Sequence, residues 1–493
     1  MSKTNVIAVD LGASSGRLIS GSYDGNKIDL KEQFRFSNQP INLNDSLYWD
    51  YFKIFQEIKY GLSMAQNDLH AIESMGVDTW GVDYGYIDRY GKVLRAPHSY
   101  RDNRVLKYLE KFKKKVSEKE LFEETGVKFD QIDTIVQLFA DLQLYPELKD
   151  EISEILMMPN LVEYFFSGVK SGEYTILSTS GLLDAKTRDY NASLLKRLGI
   201  DSSWLPKFDK SGRVLGTILP EIQEDVGLKS DIKIINGVTH DTAAAVHALP
   251  IAENESAAFI SCGTWSIVGA LTEKPVITEQ AYELGLTNEG CFDGSNRLLQ
   301  NITGLWIVQE LQKEWSYEGE MIDWGKMVEL ARAAKPNVTF IDPNAPEFGA
   351  PGNMEEKIKR FAASTGQPVP QSKGEILRCV YQSLALSYQK TVSSLETVTG
   401  KPIDSLYMFG GGIKNQLLVQ MTADFTGTPI HPGPVESSVT GNIISQLEVL
   451  GVLDPKKRVE VLKNSFESKT INPQVLSPEI RADIISRFQK ISY

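Results

Sequence analysis

A short apolar run, a tip of glycine and hydroxyl residues, and a second apolar run occur twice in this chain, about 250 residues apart. The first copy runs Val6-Ile7-Ala8-Val9, ends in Asp10, turns through Leu11-Gly12-Ala13-Ser14-Ser15-Gly16-Arg17 and resumes from Leu18 to Tyr23. The second runs Ala257-Ala258-Phe259-Ile260, turns through Ser261-Cys262-Gly263-Thr264-Trp265-Ser266 and resumes from Ile267 to Leu271. Each predicts a β-hairpin with an unusually polar tip, because short apolar runs bounded by turn formers read as buried strands. A repeat at so long a period points to two related domains joined near residue 250, and no shorter solenoid-like period is visible. Length agrees, since 493 residues exceed what one hydrophobic core usually organises.

Between the hairpins, strands and helices alternate. Asp50 can cap a helix carrying Ile54, Phe55, Ile58 and Leu62 on one face, and Glu73 to Val77 then reads as a strand running into Asp78-Thr79-Trp80-Gly81-Val82-Asp83. Further on, Ile232 to Ile235 suggests a strand, Gly237 to Asp241 a turn, and Thr242 to Val246 the start of a helix, before Pro250 and Glu253-Asn254-Glu255 punctuate the chain. In the second half Leu377, Val380, Tyr381, Leu384, Tyr388 and Leu395 follow helical spacing up to the stop signals Gly400 and Pro402. A strand from Leu406 to Phe409 leads into Gly410-Gly411-Gly412, and a helix with Leu417, Leu418, Met421 and Phe425 follows. The expected class is therefore α/β, with domains at 1–250 and 251–493. Past about residue 455, Arg458 to Leu462 and Ile480 to Phe488 suggest packing helices with a solvated face. The stretch from Asp342 to Gly374, rich in Pro and Gly, reads as a long surface loop or lid.

Composition narrows the function. Fifty-two basic against sixty-four acidic side chains leave a net charge of −12, which argues against general affinity for nucleic acid or anionic membranes. Cys262, Cys291 and Cys379 lie far apart without CxxC spacing, as expected of unpaired thiols in a reducing compartment, with the cytoplasm as default. Neither a signal peptide nor a spanning helix is expected, because the N-terminus is barely apolar and no run of eighteen apolar residues follows. The histidines at 70, 98, 240, 247 and 431 show no HExxH pattern, so a catalytic zinc is not expected.

The two tips carry the clearest chemistry. Dense in Gly and Ser, they let backbone N–H groups converge on an anion, and the hydroxyls of Ser14, Ser15, Thr264 and Ser266 add donors. Either tip alone reads first as an ordinary turn; their pairing reverses that preference toward a grip on a polyphosphate, with Asp10 placed to hold magnesium directly or through water. Gly12 to Gly16 also spell G-x-S-x-G, but a nucleophile elbow needs a helix next and Arg17 to Tyr23 reads as a strand. No G-x-x-x-x-G-K-[ST] occurs, which excludes a P-loop, and Gly410-Gly411-Gly412 suits close approach of a nucleoside better than a dinucleotide fingerprint. Asp241 is an N-cap or an acid/base group; phosphoryl transfer needs only one carboxylate to orient an alcohol and take its proton. Trp80, Gly81 and Asp83 are equally a strand end with a core aromatic or the floor of a sugar pocket.

Taken together, Asp10 to Arg17, Asp78 to Tyr84, Tyr100-Arg101-Asp102, His240-Asp241-Thr242, Gly263 to Ser266, Asn301 through Gln309, Gly410 to Gly412 with Asn415, and Gly433-Pro434-Val435-Glu436 resemble the FGGY carbohydrate kinases, in order from about residue 5 to about 450. The resemblance implies two ribonuclease-H-like domains of the actin and hexokinase type with the active site in the cleft between them. It implies ATP-dependent phosphorylation of L-rhamnulose at the 1-hydroxyl, with magnesium, by a monomer or homodimer that binds neither nucleic acid nor membrane. Asp241 becomes the base. Ala13, Ser14, Ser15, Gly16, Arg17 and Thr264 surround the phosphates, Gln309, Gly411 and Asn415 contact the nucleoside, and Asp10 serves the metal. Gly81, His240, Asp241, Thr242 and Asn301 bind the sugar, to which Trp80 and Asp83 are added. Ser437-Ser438-Val439-Thr440 and the second tyrosine of Tyr84-Gly85-Tyr86 depart from the family pattern and bear on sugar choice. L-fuculose is the nearest competing ketose; an actin-like nucleotide switch, which needs no sugar pocket, is the competing class.

Overall fold

The computed structural model describes residues 3–69, 71–210, 212–252, 255–474 and 476–492, so His70 and the Glu253-Asn254 pair lie outside the described residues. The first hairpin pairs strand Thr4–Leu11 antiparallel with Ser15–Tyr23, which pairs in turn with Ile28–Ser37. On its other side Thr4–Leu11 runs parallel to Ser74–Thr79, and that strand runs parallel to Lys233–Asn236. Strand Arg213–Thr217 closes the edge of the six-stranded sheet. The second hairpin repeats the scheme: Ala257–Cys262 is antiparallel to Trp265–Thr272 and parallel to Ser405–Phe409, which is parallel to Ile430–Pro432. The long-period repeat is thus a repeat of topology. The chain has the two-domain α/β fold expected of it.

Its contacts divide the chain into two compact units, one of Met1–Pro250, Thr272–Leu298 and Glu436–Glu467, the other of Ile251–Leu271, Leu299–Val435 and Ser468–Tyr493. The first change of unit falls at Pro250, and two later segments group with the N-terminal unit. Packing explains the second of them. Strand Thr4–Leu11 is buried on both faces, so its residues read as one apolar run rather than an alternation. Ile7, Val9 and Leu11 pack with Ile54, Ile58 and Leu62 of helix Tyr51–Asp68, which Asp50 caps through its bond from Lys53 N. Val6 and Ala8 need cover on the opposite face, and Val439, Ile443, Ile444 and Leu447 of helix Ser437–Val449 supply it. Gly441 lets that helix press on helix Asp241–His247, for a Cβ there would lie 1.8 Å from Ala244 O.

In the second unit, helix Lys373–Thr399 ends at Gly400 in the left-handed conformation, and helix Gln416–Thr426 follows the triple-glycine turn, both as the sequence predicts. The expected loop at 342–374 is corrected. It contains helix Met354–Ser364, which buries Met354, Ile358, Phe361 and Ala362 at helical spacing. Helices Arg458–Ser465 and Pro478–Gln489 occupy the C-terminal segment and bury Val461, Leu462, Ile484 and Phe488. The three cysteines are buried and free. No helix among the described residues is long and apolar enough to cross a membrane.

Candidate active site

Three adjacent parallel strands of the first unit deliver carboxylates at their C-terminal ends. Asp10 pairs in register with Asp78, and beyond Lys233–Asn236 the chain bridges Thr79 to His240 and enters helix Asp241–His247. The Thr79 amide donates to Thr239 O at 2.9 Å, which sets the Trp80–Gly81 turn beside His240-Asp241-Thr242. Glu173 anchors the same loop from below: fully buried, it accepts from Thr239 Oγ1 at 2.7 Å and from Thr175 N at 2.8 Å.

Asp241 is the first helical residue, with His240 in the cap position, so the reading of Asp241 as an N-cap is corrected by one residue. Its Oδ1 accepts from Thr242 N and, at 3.0 Å, from Thr242 Oγ1. The side chain stays 32 % exposed, open on one side. Burial of the remainder, helped by the like charge of Asp10, pushes the carboxyl up to about 7. A base tuned near neutrality is well matched to taking a proton from an alcohol. Asp78, fully buried, accepts from Asn442 Nδ2 at 2.5 Å and is driven well above the carboxylate range by burial and by Asp10.

At the first tip the Arg17 guanidinium donates to both Asp10 Oδ2 and Glu436 Oε2, and Ser438 Oγ donates to Asp10 Oδ2 at 2.9 Å. Asp10 Oδ1 accepts from no described residue. One such oxygen suits a magnesium ion held mostly by phosphates; no group of three or more metal-binding side chains occurs among the described residues. The hydroxyls of Ser14 and Ser15 bond to no described residue, and Asn38 braces the turn through Gly12 O at 2.7 Å and Ser14 O at 3.1 Å. Gly16 has a packing reason as well, since a Cβ would meet the Phe36 ring at 2.2 Å.

Trp80 and Asp83 form a buried knot. Asp83 Oδ2 accepts from Trp49 Nε1 at 2.6 Å, Trp80 Nε1 at 3.0 Å and Tyr100 N at 3.1 Å, while Oδ1 accepts from Gln137 Nε2 at 3.2 Å. Trp80 leans on Trp49 with ring centroids 4.0 Å apart. Both side chains are buried, and Trp80 packs in the core of the first unit. Gly81, against Thr179 and followed by Val82 at φ 67, keeps its backbone at the turn. Tyr86 and Tyr84 both donate to Asp141 from a buried cluster, so the second tyrosine is a packing feature. Sequence reasoning passed over Glu289 and Arg297: Arg297 Nη2 donates to His240 Nδ1 at 3.2 Å and lies 2.9 Å from Glu289 Oε2. Neither belongs to a motif.

In the second unit, Gln309 Nε2 donates to Thr264 Oγ1 at 3.0 Å, joining two of the expected nucleotide residues. Ser266 is corrected as a phosphate donor, because it is buried with its Oγ 2.7 Å from the Tyr388 hydroxyl. Gly412 packs on Cys262, whose Sγ would lie 2.1 Å from an added Cβ, whereas Gly411 has open space. Asn415 caps helix Gln416–Thr426 through Leu418 N at 3.1 Å. Asn301 is exposed, in the part of strand Asn296–Thr303 that belongs to this unit.

Residues 5–247 match the N-terminal domain, and residues 258–447 the C-terminal domain, of the FGGY family of carbohydrate kinases. The chain is 35 % identical over 473 residues to a rhamnulokinase of Bacteroides thetaiotaomicron, covering 96 % of each protein. It is 36 % identical over 465 residues to a rhamnulokinase of Oceanobacillus iheyensis, covering 94 % of this chain and 97 % of the relative. Among solved structures, gluconate kinase from Lactobacillus acidophilus superposes with a TM-score of 0.82 at 16 % identity, over 99 % of this chain and 97 % of the other. Plasmodium falciparum glycerol kinase with ADP gives 0.82 at 17 %, with the same coverage. With its carboxylates gathered at the strand ends and both family domains present, the chain belongs to the FGGY family of carbohydrate kinases and uses ATP as co-substrate.

Proposed function

We propose that this chain transfers the γ-phosphoryl group of ATP to the 1-hydroxyl of L-rhamnulose, giving L-rhamnulose 1-phosphate and ADP. The names of its relatives support the sugar. The observation that carries the chemistry is Asp241, a single carboxylate open on one side and tuned to about 7. It accepts the proton of the 1-hydroxyl while that oxygen attacks the γ-phosphorus and ADP departs; the proton then passes to solvent. Gly81 on the neighbouring turn, His240 in the cap position and Thr242 in the first turn of the helix orient the sugar, with Asn301 a further sugar contact. Asp83 and Trp80 act through position, because their polar atoms are already engaged with each other and with Trp49.

In the first unit the unengaged hydroxyls of Ser14 and Ser15 and the backbone from Ala13 to Arg17 bind phosphate; in the second unit Thr264 is a phosphate contact and Gln309, Gly411 and Asn415 are nucleoside contacts. Asp10 would hold magnesium, which when bound neutralises phosphate charge. Arg17, shared between Asp10 and Glu436, orients the Asp10 carboxylate. The deciding experiment is ADP release with L-rhamnulose, L-fuculose, L-ribulose, D-xylulose and glycerol. The greatest kcat/KM is expected for L-rhamnulose; preference for L-fuculose would reassign the sugar, and no stimulation by any acceptor would favour a nucleotide switch.

A further inference from the structure

His240 sits in the cap position of helix Asp241–His247, its Nε2 3.5 Å from Asp241 Oδ1. A neutral imidazole carries one proton, and which nitrogen holds it is set by the bond the other nitrogen makes. Here that other bond is to a guanidinium. Arg297 is fully buried, and its Nη2 donates to His240 Nδ1 at 3.2 Å. Because a guanidinium only donates, a proton on Nδ1 would oppose donor to donor at this distance. Glu289 offers no alternative acceptor, for its Oε2 lies 3.6 Å from Nδ1, beyond a good hydrogen bond, while resting 2.9 Å from Arg297 Nη2.

We propose that Arg297 is a positioning residue that locks His240 in the Nε2–H tautomer, so that His240 does not compete with Asp241 for the proton of the acceptor hydroxyl. This deepens the proposed reaction and rests on Asp241 being its base. Were Nε2 bare, it would compete with Asp241 for the hydrogen bond of the acceptor hydroxyl; with Nε2–H it presents a donor to a sugar oxygen instead. Burial together with the Arg297 charge also holds His240 well below its usual range, keeping the ring neutral. The groups facing the ring are Arg297, Glu289 and Asp241. Stability alone explains Arg297 poorly: its Nε and Nη1 are buried without a partner among the described residues, a costly arrangement for a cation.

The test combines long-range proton–nitrogen correlation spectra of the full-length protein, labelled with ¹⁵N-histidine, with ketose kinetics. His240→Gln identifies the His240 signals among five histidines. The wild-type ring should show the Nε2–H pattern alone at neutral pH. Arg297→Met should mix in the Nδ1–H form and lower kcat by about ten- to hundredfold, leaving the KM for ATP within about twofold. Arg297→Lys, which still only donates, should restore the tautomer and most of kcat. An Nδ1–H signal in the wild type overturns the proposal even if no variant folds, and so does Arg297→Met with an unmixed Nε2–H ring and unchanged kcat. Full ketose turnover by Asp241→Asn would instead remove the base and leave the tautomer result standing.

Discussion

Asp10 and Asp78 pair in register on neighbouring parallel strands, so their carboxylates stand on one side of the sheet, and the charge of Asp10 raises both Asp78 and Asp241. Replacing Asp10 by Asn removes that charge. The acid limb of the residual activity should then move to lower pH than in the wild type, alongside weaker use of magnesium and ATP. The pH dependence of kcat/KM in the two proteins measures this; an unmoved limb would mean that burial alone sets the base.

Asp241 also links activity to stability. Its folded-state carboxyl, at about 7, lies above the ordinary value of 3.8. The stabilisation this gives is complete below the ordinary range and disappears as pH rises through about 7. Asp241→Asn has no such loss. Its Tm relative to wild type should therefore climb between about pH 5 and pH 8, even as turnover falls by about two to four orders of magnitude. A Tm difference independent of pH would contradict the raised carboxyl.

The Asp83 knot separates a positioning role from direct sugar contact. Asp83→Ala leaves the indole N–H groups of Trp49 and Trp80 and the Tyr100 amide unpaired, at a cost of about 3–5 kcal/mol in stability. Denaturant unfolding should register that loss. A variant of wild-type stability with a large rise in ketose KM would instead make Asp83 a sugar ligand.

At the second hairpin, neighbouring hydroxyls should behave differently. Ser266→Ala forfeits one buried bond to Tyr388, about 1 kcal/mol, and should leave the KM for ATP within about twofold. Thr264→Val, which loses the hydroxyl held by Gln309, should raise that KM by about tenfold. Isothermal titration with ADP gives the same ranking free of the chemical step.

What local pattern encodes was legible. Both hairpins, the helix capped by Asp50 and the stop at Gly400 follow from periodicity and turn residues. Helix Met354–Ser364 carried its own signal, with apolar residues at helical spacing, but the surrounding prolines and glycines read as loop. Long-range partners were not legible. Nothing near Trp49 announces a bond to Asp83, nothing near Ser266 announces Tyr388, and the burial of helix Ser437–Val449 depends on a strand more than 400 residues earlier. Asp78 stands at a strand end that the sequence already marks, whereas Glu289 and Arg297 required coordinates.

The central claim, that a lone carboxylate tuned to neutrality activates the sugar hydroxyl, is tested most directly by the kcat/KM for L-rhamnulose across pH at saturating ATP. It should rise about tenfold per pH unit at low pH and level off above about 7, with the rise absent from the residual activity of Asp241→Asn. Full activity persisting at about pH 5 would contradict it.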